Sequence, residues 1–286
     1  MKNHISHLDA YKLDLINKSS SPNTIQSYLA TITHYFSISP TPIISRPNIQ
    51  LYKSQISHLS PSTINQKLSA LKSFNEYLLS ISQIESILII KQDFIKIQSK
   101  GNPTEITSSQ VSKFLSKVQS KYCMYQSRNI ALIYLMANTG IRREEVCNIK
   151  LNNLDIENEE LTIIGKGNKF RTVLLNSSCI SYIESYLVDR ATHKNHLSPY
   201  LFISERGGSL TKETINDIFN FYCTPKNRIT PHQLRHNFAT TTIEQDIYTL
   251  PELQNQLGHS SVATTGMYAH ARKSNMKKKV NNLCIG

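Results

Sequence analysis

Between residues 229 and 271 the chain reads ITPHQLRHNFATTTIEQDIYTLPELQNQLGHSSVATTGMYAHA, and this stretch concentrates His232, Arg235, His259 and Tyr268. Thr230-Pro231-His232-Gln233 has the form of a helix start, with Thr as N-cap, Pro at the first helical position and Gln three residues on as the reciprocal partner. That phase sets His232 and Arg235 on one face of the first turn and a half. Thr249-Leu250-Pro251-Glu252 repeats the pattern, and Gly258 fits a helix terminator with His259 just beyond it. A third short helix starting at Ser260 or Ser261 would carry Tyr268. Two histidines, an arginine and a tyrosine near helix ends suit an anionic ligand. Arg142 and Lys166 are the earlier cations that join this set.

Each residue also has an ordinary reading. A tyrosine among 14 is by default core or surface, and His232 with Arg235 at i, i+3 could be a surface pair. A basic GKGNK turn is common. The set gains meaning only as an ordered block.

The whole chain sets the class of ligand. It has 286 residues, 39% of them hydrophobic, enough for two domains. Lys and Arg number 32 against 20 Asp and Glu, a formal charge of +12. The first hundred residues hold 10 basic and 5 acidic side chains and the rest 22 and 15, so both halves are positive. A polyanion held by both domains is the partner this balance fits. The five cysteines show no paired short spacing, which argues against a zinc site or a disulfide framework and for reduced thiols. The N-terminus is too polar for a signal peptide, and Ile87 to Ile90 is too short to span a bilayer. The expectation is a cytoplasmic protein with no membrane partner.

The elements that must position the chemistry follow from periodicity. Residues 5–90 read as helical. Ser21-Pro22 starts a helix with Ile25, Tyr28, Leu29, Ile32 and Phe36 on its stripe. Ser60-Pro61 starts another with Ile64, Leu68, Leu71, Phe74 and Leu78. Residues 39–47 form a Pro-rich connection that cannot be helical throughout. Lys18, Lys53, Lys67 and Lys72 on the solvent faces are available to phosphates or to water. Residues 95–108 are the best linker. Beyond them, residues 127–137 make a helix ending at Asn138-Thr139-Gly140, and another begins around Ile141 and carries Arg142 to Val146. Leu161–Ile164 and Arg171–Leu175 read as a hairpin with a basic, glycine-bearing tip, with residues 154–156 as a further edge strand. Helices return at residues 179–187 and 211–222, with a loop at 190–198 and a buried segment at Leu201-Phe202-Ile203.

Four segments then line up with one family. TGIRREEV resembles the first arginine box of the tyrosine recombinases (phage-integrase-like proteins), and IIGKGNKFRTVLL resembles their β-hairpin lysine motif. HQLRH resembles their H-x-x-R box, and LGHSSVATTGMYAH their closing histidine and tyrosine box. The segments lie in family order over about 130 residues. The helical first hundred residues resemble the core-binding domain more weakly. The length matches compact Xer-like members, among which recombinases that resolve transposon cointegrates are a close candidate.

The resemblance implies a mainly α fold, with a helical core-binding domain over residues 1–98 and an α+β catalytic domain with a small antiparallel sheet over 105–286. Together they would clamp duplex DNA. It implies a tyrosine nucleophile, Tyr268, that attacks phosphorus and leaves a 3′-phosphotyrosyl ester and a 5′-hydroxyl. Arg142 and Arg235 would hold the non-bridging oxygens, for which a rigid, permanently charged fork is suited. Arg143 competes with Arg142 for the first position. Lys166 would protonate the leaving oxygen, with Lys169 as runner-up. His232 would assist deprotonation of the tyrosine and His259 would bond the scissile phosphate. Glu145 would orient the basic groups from behind. No cofactor or metal is implied. The partners implied are double-stranded DNA with a specific recombination site, a homo-tetramer on two such sites, and accessory DNA-binding proteins. The tail after Tyr268 would pack on a neighbouring protomer. Two rival readings remain: a type IB topoisomerase-like relaxase, and a DNA-binding accessory protein without catalysis.

Overall fold

The computed structural model describes residues 3–96, 106–165, 169–225, 227–258 and Tyr268. The chain divides into two compact units, Met1–Gly101 and Asn102–Gly286.

The first unit holds α1 (Leu8–Asn17), α2 (Pro22–Ile38), α3 (Arg46–Gln55) and α4 (Pro61–Ser80). Ser21 and Ser60 cap α2 and α4, each hydroxyl accepting from the backbone N–H three residues on, with proline in the first turn where no N–H is missed. The stripes predicted for these two helices meet around the fully buried Tyr11, Tyr35, Tyr52 and Phe74. The Pro-rich connection is shorter than residues 39–47: Ser45 caps α3, and Pro47 lies inside its first turn. The Asn48 amide then folds the connection onto the helix by donating to Ser39, Thr41 and the Ile43 carbonyl. Three of the four lysines reserved for phosphates or water are paired with carboxylates, Lys18 with Asp14, Lys53 with Asp93 and Lys72 with Glu76.

The second unit contains α5 (Ser108–Ser120), α6 (Gln126–Thr139), the short α7 (Arg143–Cys147), and strands β1 (Leu154–Asp155), β2 (Glu160–Ile164) and β3 (Phe170–Leu174). Four helices follow: α8 (Ser177–Ala191), α9 (Lys212–Tyr222), α10 (Pro231–Glu244) and α11 (Leu250–Leu257). Helix α6 is buried along most of its length because α8 and α10 both pack on it. The strands form one antiparallel sheet in the order β1-β2-β3, with Thr162 opposite Thr172 and Ile163 opposite Arg171. The expected loop at 190–198 begins late, since α8 runs to Ala191. Buried Arg190 at its end gathers the carbonyls of His196, Ser198, Tyr200 and Leu201.

The architecture is therefore a mainly helical first unit and an α+β second unit with a small antiparallel sheet. Among the described residues no helix is long and apolar enough to cross a membrane. Most of the expected linker, a helix from residue 260, and the C-terminal tail lie outside the described residues.

Candidate active site

The site is built where two helices end. Helix α6 stops at Gly140 and α11 at Gly258, both in the left-handed region at φ 63° and 64°. A helix end leaves carbonyls without partners and carries partial negative charge. Here arginines fill that role. Arg235, buried on the first turns of α10, donates to the Gly140 carbonyl at 2.7 Å and to the Leu257 carbonyl at 2.9 Å. Arg142, the N-cap of α7, donates to the same Leu257 carbonyl at 2.9 Å and to Gly258 at 3.0 Å. The Leu257 carbonyl thus fixes both guanidiniums next to each other.

Both glycines are favoured by φ, and Gly140 is required by space as well. A Cβ on Gly140 would come within 2.5 Å of the Phe238 ring and 2.8 Å of Leu257. A Cβ on Gly258 would come within 2.8 Å of the Arg171 guanidinium.

Glu145 is the buried anion that offsets these cations. Its carboxylate accepts from the Arg142 backbone N–H at 2.7 Å, closing the first turn of α7, and from Arg142 Nη1 at 3.1 Å. Arg171 reaches it from β3 with both terminal nitrogens at 2.8 Å, a two-pronged pair. Burial raises the Glu145 carboxyl, but Arg171 first and Arg142 after it outweigh that effect and hold it below the usual carboxylate value. For Arg235 the balance runs the other way. Burial, then the neighbouring Arg142 charge, pulls its guanidinium down to about 10, which leaves it protonated at neutral pH.

His232 lies on the first turn of α10 and lines a cavity of about 620 Å³ together with Arg142, Arg143, Arg228 and Arg235. Burial first, and the Arg235 charge after it, lower its pKa and so favour the neutral imidazole. Arg143 donates to Asn216 on the wall of the same cavity at 2.6 Å and makes no contact to the Leu257 carbonyl that holds Arg142 and Arg235. A cavity walled by guanidiniums, with Glu144 on its rim paired to Lys212, suits a phosphate-like oxyanion.

Tyr268 is buried in a small apolar cluster with Phe238, Ala239, Ile243, Leu253 and Leu257, residues of α10 and α11. Its hydroxyl shares a 3.0 Å hydrogen bond with Nδ1 of His236. Burial raises its pKa and the Arg235 charge opposes that rise. His232 and His236 stand one turn apart on α10 with ring centroids 4.8 Å apart and nearly perpendicular. The imidazole touching the tyrosine is therefore His236, one turn from the histidine picked from sequence.

The structure thus brings together Arg142, Glu145 and Arg235, places His232 in the cavity beside the two arginines, and packs Tyr268 on α10 and α11. Lys166 and His259 lie outside the described residues. Sequence reasoning passed over Arg171 and His236. His236 had a signal, its i, i+4 spacing from His232. Among the described residues no three His, Cys, Asp or Glu side chains converge as metal ligands.

Residues 104–275 match the phage integrase family, and residues 8–81 match the phage integrase N-terminal SAM-like domain. The TnP I resolvase of Bacillus thuringiensis is 37% identical over 281 residues, covering 94% of this chain and 96% of that protein. The tyrosine recombinase XerC of Bacillus pumilus is 28% identical over 279 residues, covering 92% and 90%. Among solved structures, the XerH site-specific recombinase bound to palindromic difH substrate in a post-cleavage complex is similar at 26% identity. It covers 96% of this chain and 83% of that one with a TM-score of 0.72. Matched over both of its units, this chain belongs to the phage integrase family, the tyrosine recombinases, and is homologous to the Xer-type members.

Proposed function

We propose that this protein is a site-specific DNA recombinase that cleaves and rejoins DNA through a 3′-phosphotyrosyl intermediate. The observation that carries the reading is the pair of guanidiniums, Arg142 and Arg235, fixed on one backbone carbonyl beside a cavity that a phosphodiester would suit. Tyr268 Oη attacks phosphorus while its proton passes to an imidazole, His232 in the family pattern. The bond from phosphorus to the 5′ oxygen breaks, and Lys166 supplies the proton that makes the leaving group a hydroxyl. Arg142 and Arg235 neutralise the two non-bridging oxygens as charge builds at phosphorus, with His259 as a further donor. Glu145 holds the cations in register. Religation reverses the steps with a 5′-hydroxyl from a partner strand, so each phosphodiester is conserved through a Holliday junction.

Residues 1–98 and 105–286 would grip the duplex together, the second also supplying the chemistry, with four protomers acting on two sites and the C-terminal tail packed on a neighbour. Likeness to a resolvase along nearly the whole chain favours resolution of a mobile-element cointegrate over integration or excision. A two-site assay tests the reading. Plasmids carrying paired copies of the element's own candidate site should yield recombinants and trapped junctions. Relaxation of any supercoiled DNA, with no recombinant product, would instead mark a topoisomerase-like enzyme.

A further inference from the structure

Arg171 stands apart from the residues that would touch a phosphate, yet all three kinds of its guanidinium nitrogen are engaged by the site's scaffold. It projects from β3 on the same side as buried Val173, while Phe170, Thr172 and Leu174 are exposed on the other. Its two terminal nitrogens take one Glu145 oxygen each at 2.8 Å, and its Nε donates to the Gln256 carbonyl at 3.0 Å. Its guanidinium occupies the space beside Gly258 that any Cβ there would enter. One side chain therefore joins three parts of the site: the hairpin that leads to Lys166, the Glu145 carboxylate that restrains Arg142, and the end of α11 whose Leu257 and Gly258 carbonyls hold Arg142 and Arg235.

We propose that Arg171 is a positioning residue for DNA cleavage. It orients Arg142 through Glu145 and fixes the α11 terminus against the hairpin without contacting the substrate. The proposal rests on the recombinase reading and adds to it. The geometry explains why an arginine is needed. Satisfying two carboxylate oxygens and a carbonyl at once takes a planar fork with three donors on one side chain, and a lysine ammonium has the charge without that shape. Removing Arg171 would leave Glu145 with Arg142 as its one cationic partner among the described residues, and would release the Gln256 carbonyl. Arg142 would then lose the fixed geometry on which cleavage depends.

The test compares the full chain with Arg171→Gln and Arg171→Lys. Single-turnover formation of the covalent adduct is followed on a suicide substrate carrying the native site, beside equilibrium DNA binding and thermal melting. Both variants should bind DNA within about twofold of wild type, because Arg171 does not meet the substrate. Adduct formation at saturating protein should slow by about 10- to 100-fold. Arg171→Lys keeps the charge, so a folded but slow lysine variant isolates the role of the fork, and a lysine variant cleaving at the wild-type rate overturns the proposal.

A second readout needs no DNA. The Nε–H resonance of Arg142, identified by its loss in Arg142→Lys, should be sharp in wild type and broaden or shift in Arg171→Lys. Unchanged Arg142 signals would overturn the proposal even if cleavage fell. Failure of wild type itself to form any adduct would defeat the recombinase reading, while the Arg142 resonance would still decide whether Arg171 positions that residue.

Discussion

Glu145 serves two guanidiniums and a backbone N–H with one buried carboxylate, which makes it the most exposed point of the site to acid. Its pKa is depressed, so its contribution to stability is fully present above the ordinary glutamate value of 4.5 and is lost as pH falls through the lower folded value. Glu145→Gln should therefore destabilise the protein by on the order of 3 kcal/mol near neutrality, since Arg171 keeps its buried charge without a counterion. It should also flatten part of the acid fall in a melting-temperature profile below the ordinary glutamate value of 4.5. Parallel profiles for variant and wild type would contradict this role. The residue's importance was visible in TGIRREEV. The identity of its stronger partner was not, because Arg171 lies 26 residues away and an arginine on a short hairpin is solvent-facing by default. The target of the His236 ring was hidden for a related reason. Adjacent to Arg235 in HQLRH, His236 is directed at Tyr268 only by the tertiary packing of α10.

Helix ends carry the geometry at the next scale. The starts of α2, α4, α10 and α11 were legible as Ser or Thr followed by or close to Pro, and the stops of α6 and α11 as glycine. The start of α3 was less so, because Pro47 looks like a breaker until Ser45 is seen to cap. The face of β3 could not be read at all: Phe170 and Leu174 alternate with Arg171 and Val173, so apolar residues lie on both sides. The two glycine stops make a stability prediction. Gly140→Ala combines a left-handed backbone, costing about 1–2 kcal/mol for a side-chain-bearing residue, with a Cβ driven into Phe238 and Leu257. Such overpacking adds about 1–3 kcal/mol, and denaturant unfolding should report the combined loss. Gly258→Ala meets the end of a flexible guanidinium instead, so it should destabilise less and slow cleavage by displacing Arg171. If the two variants were equally stable to wild type, these helix ends would not be the rigid seats described.

Across the whole molecule, the division into two units follows the change from purely helical patterning to helices with a hairpin, and both units carry part of the positive charge. The order of the four boxes was readable because local spacing preserves it. The convergence of Arg142 and Arg235 on one backbone carbonyl was not, since it depends on α6, α10 and α11 meeting in space. Lys166→Ala should keep DNA binding close to wild type and slow cleavage by about 10²–10⁴-fold, the usual range for a lost general acid. A substrate whose 5′ leaving group needs no proton should restore most of that rate, and no restoration would assign Lys166 another role. The central claim is that one tyrosine becomes covalently joined to DNA. Its most direct measurement is mass spectrometric mapping of the adduct trapped on a suicide substrate bearing the native site. The account predicts a 3′-phosphodeoxynucleotide on Tyr268 and no adduct in Tyr268→Phe. An adduct on another residue, or one that persists in Tyr268→Phe, would contradict it.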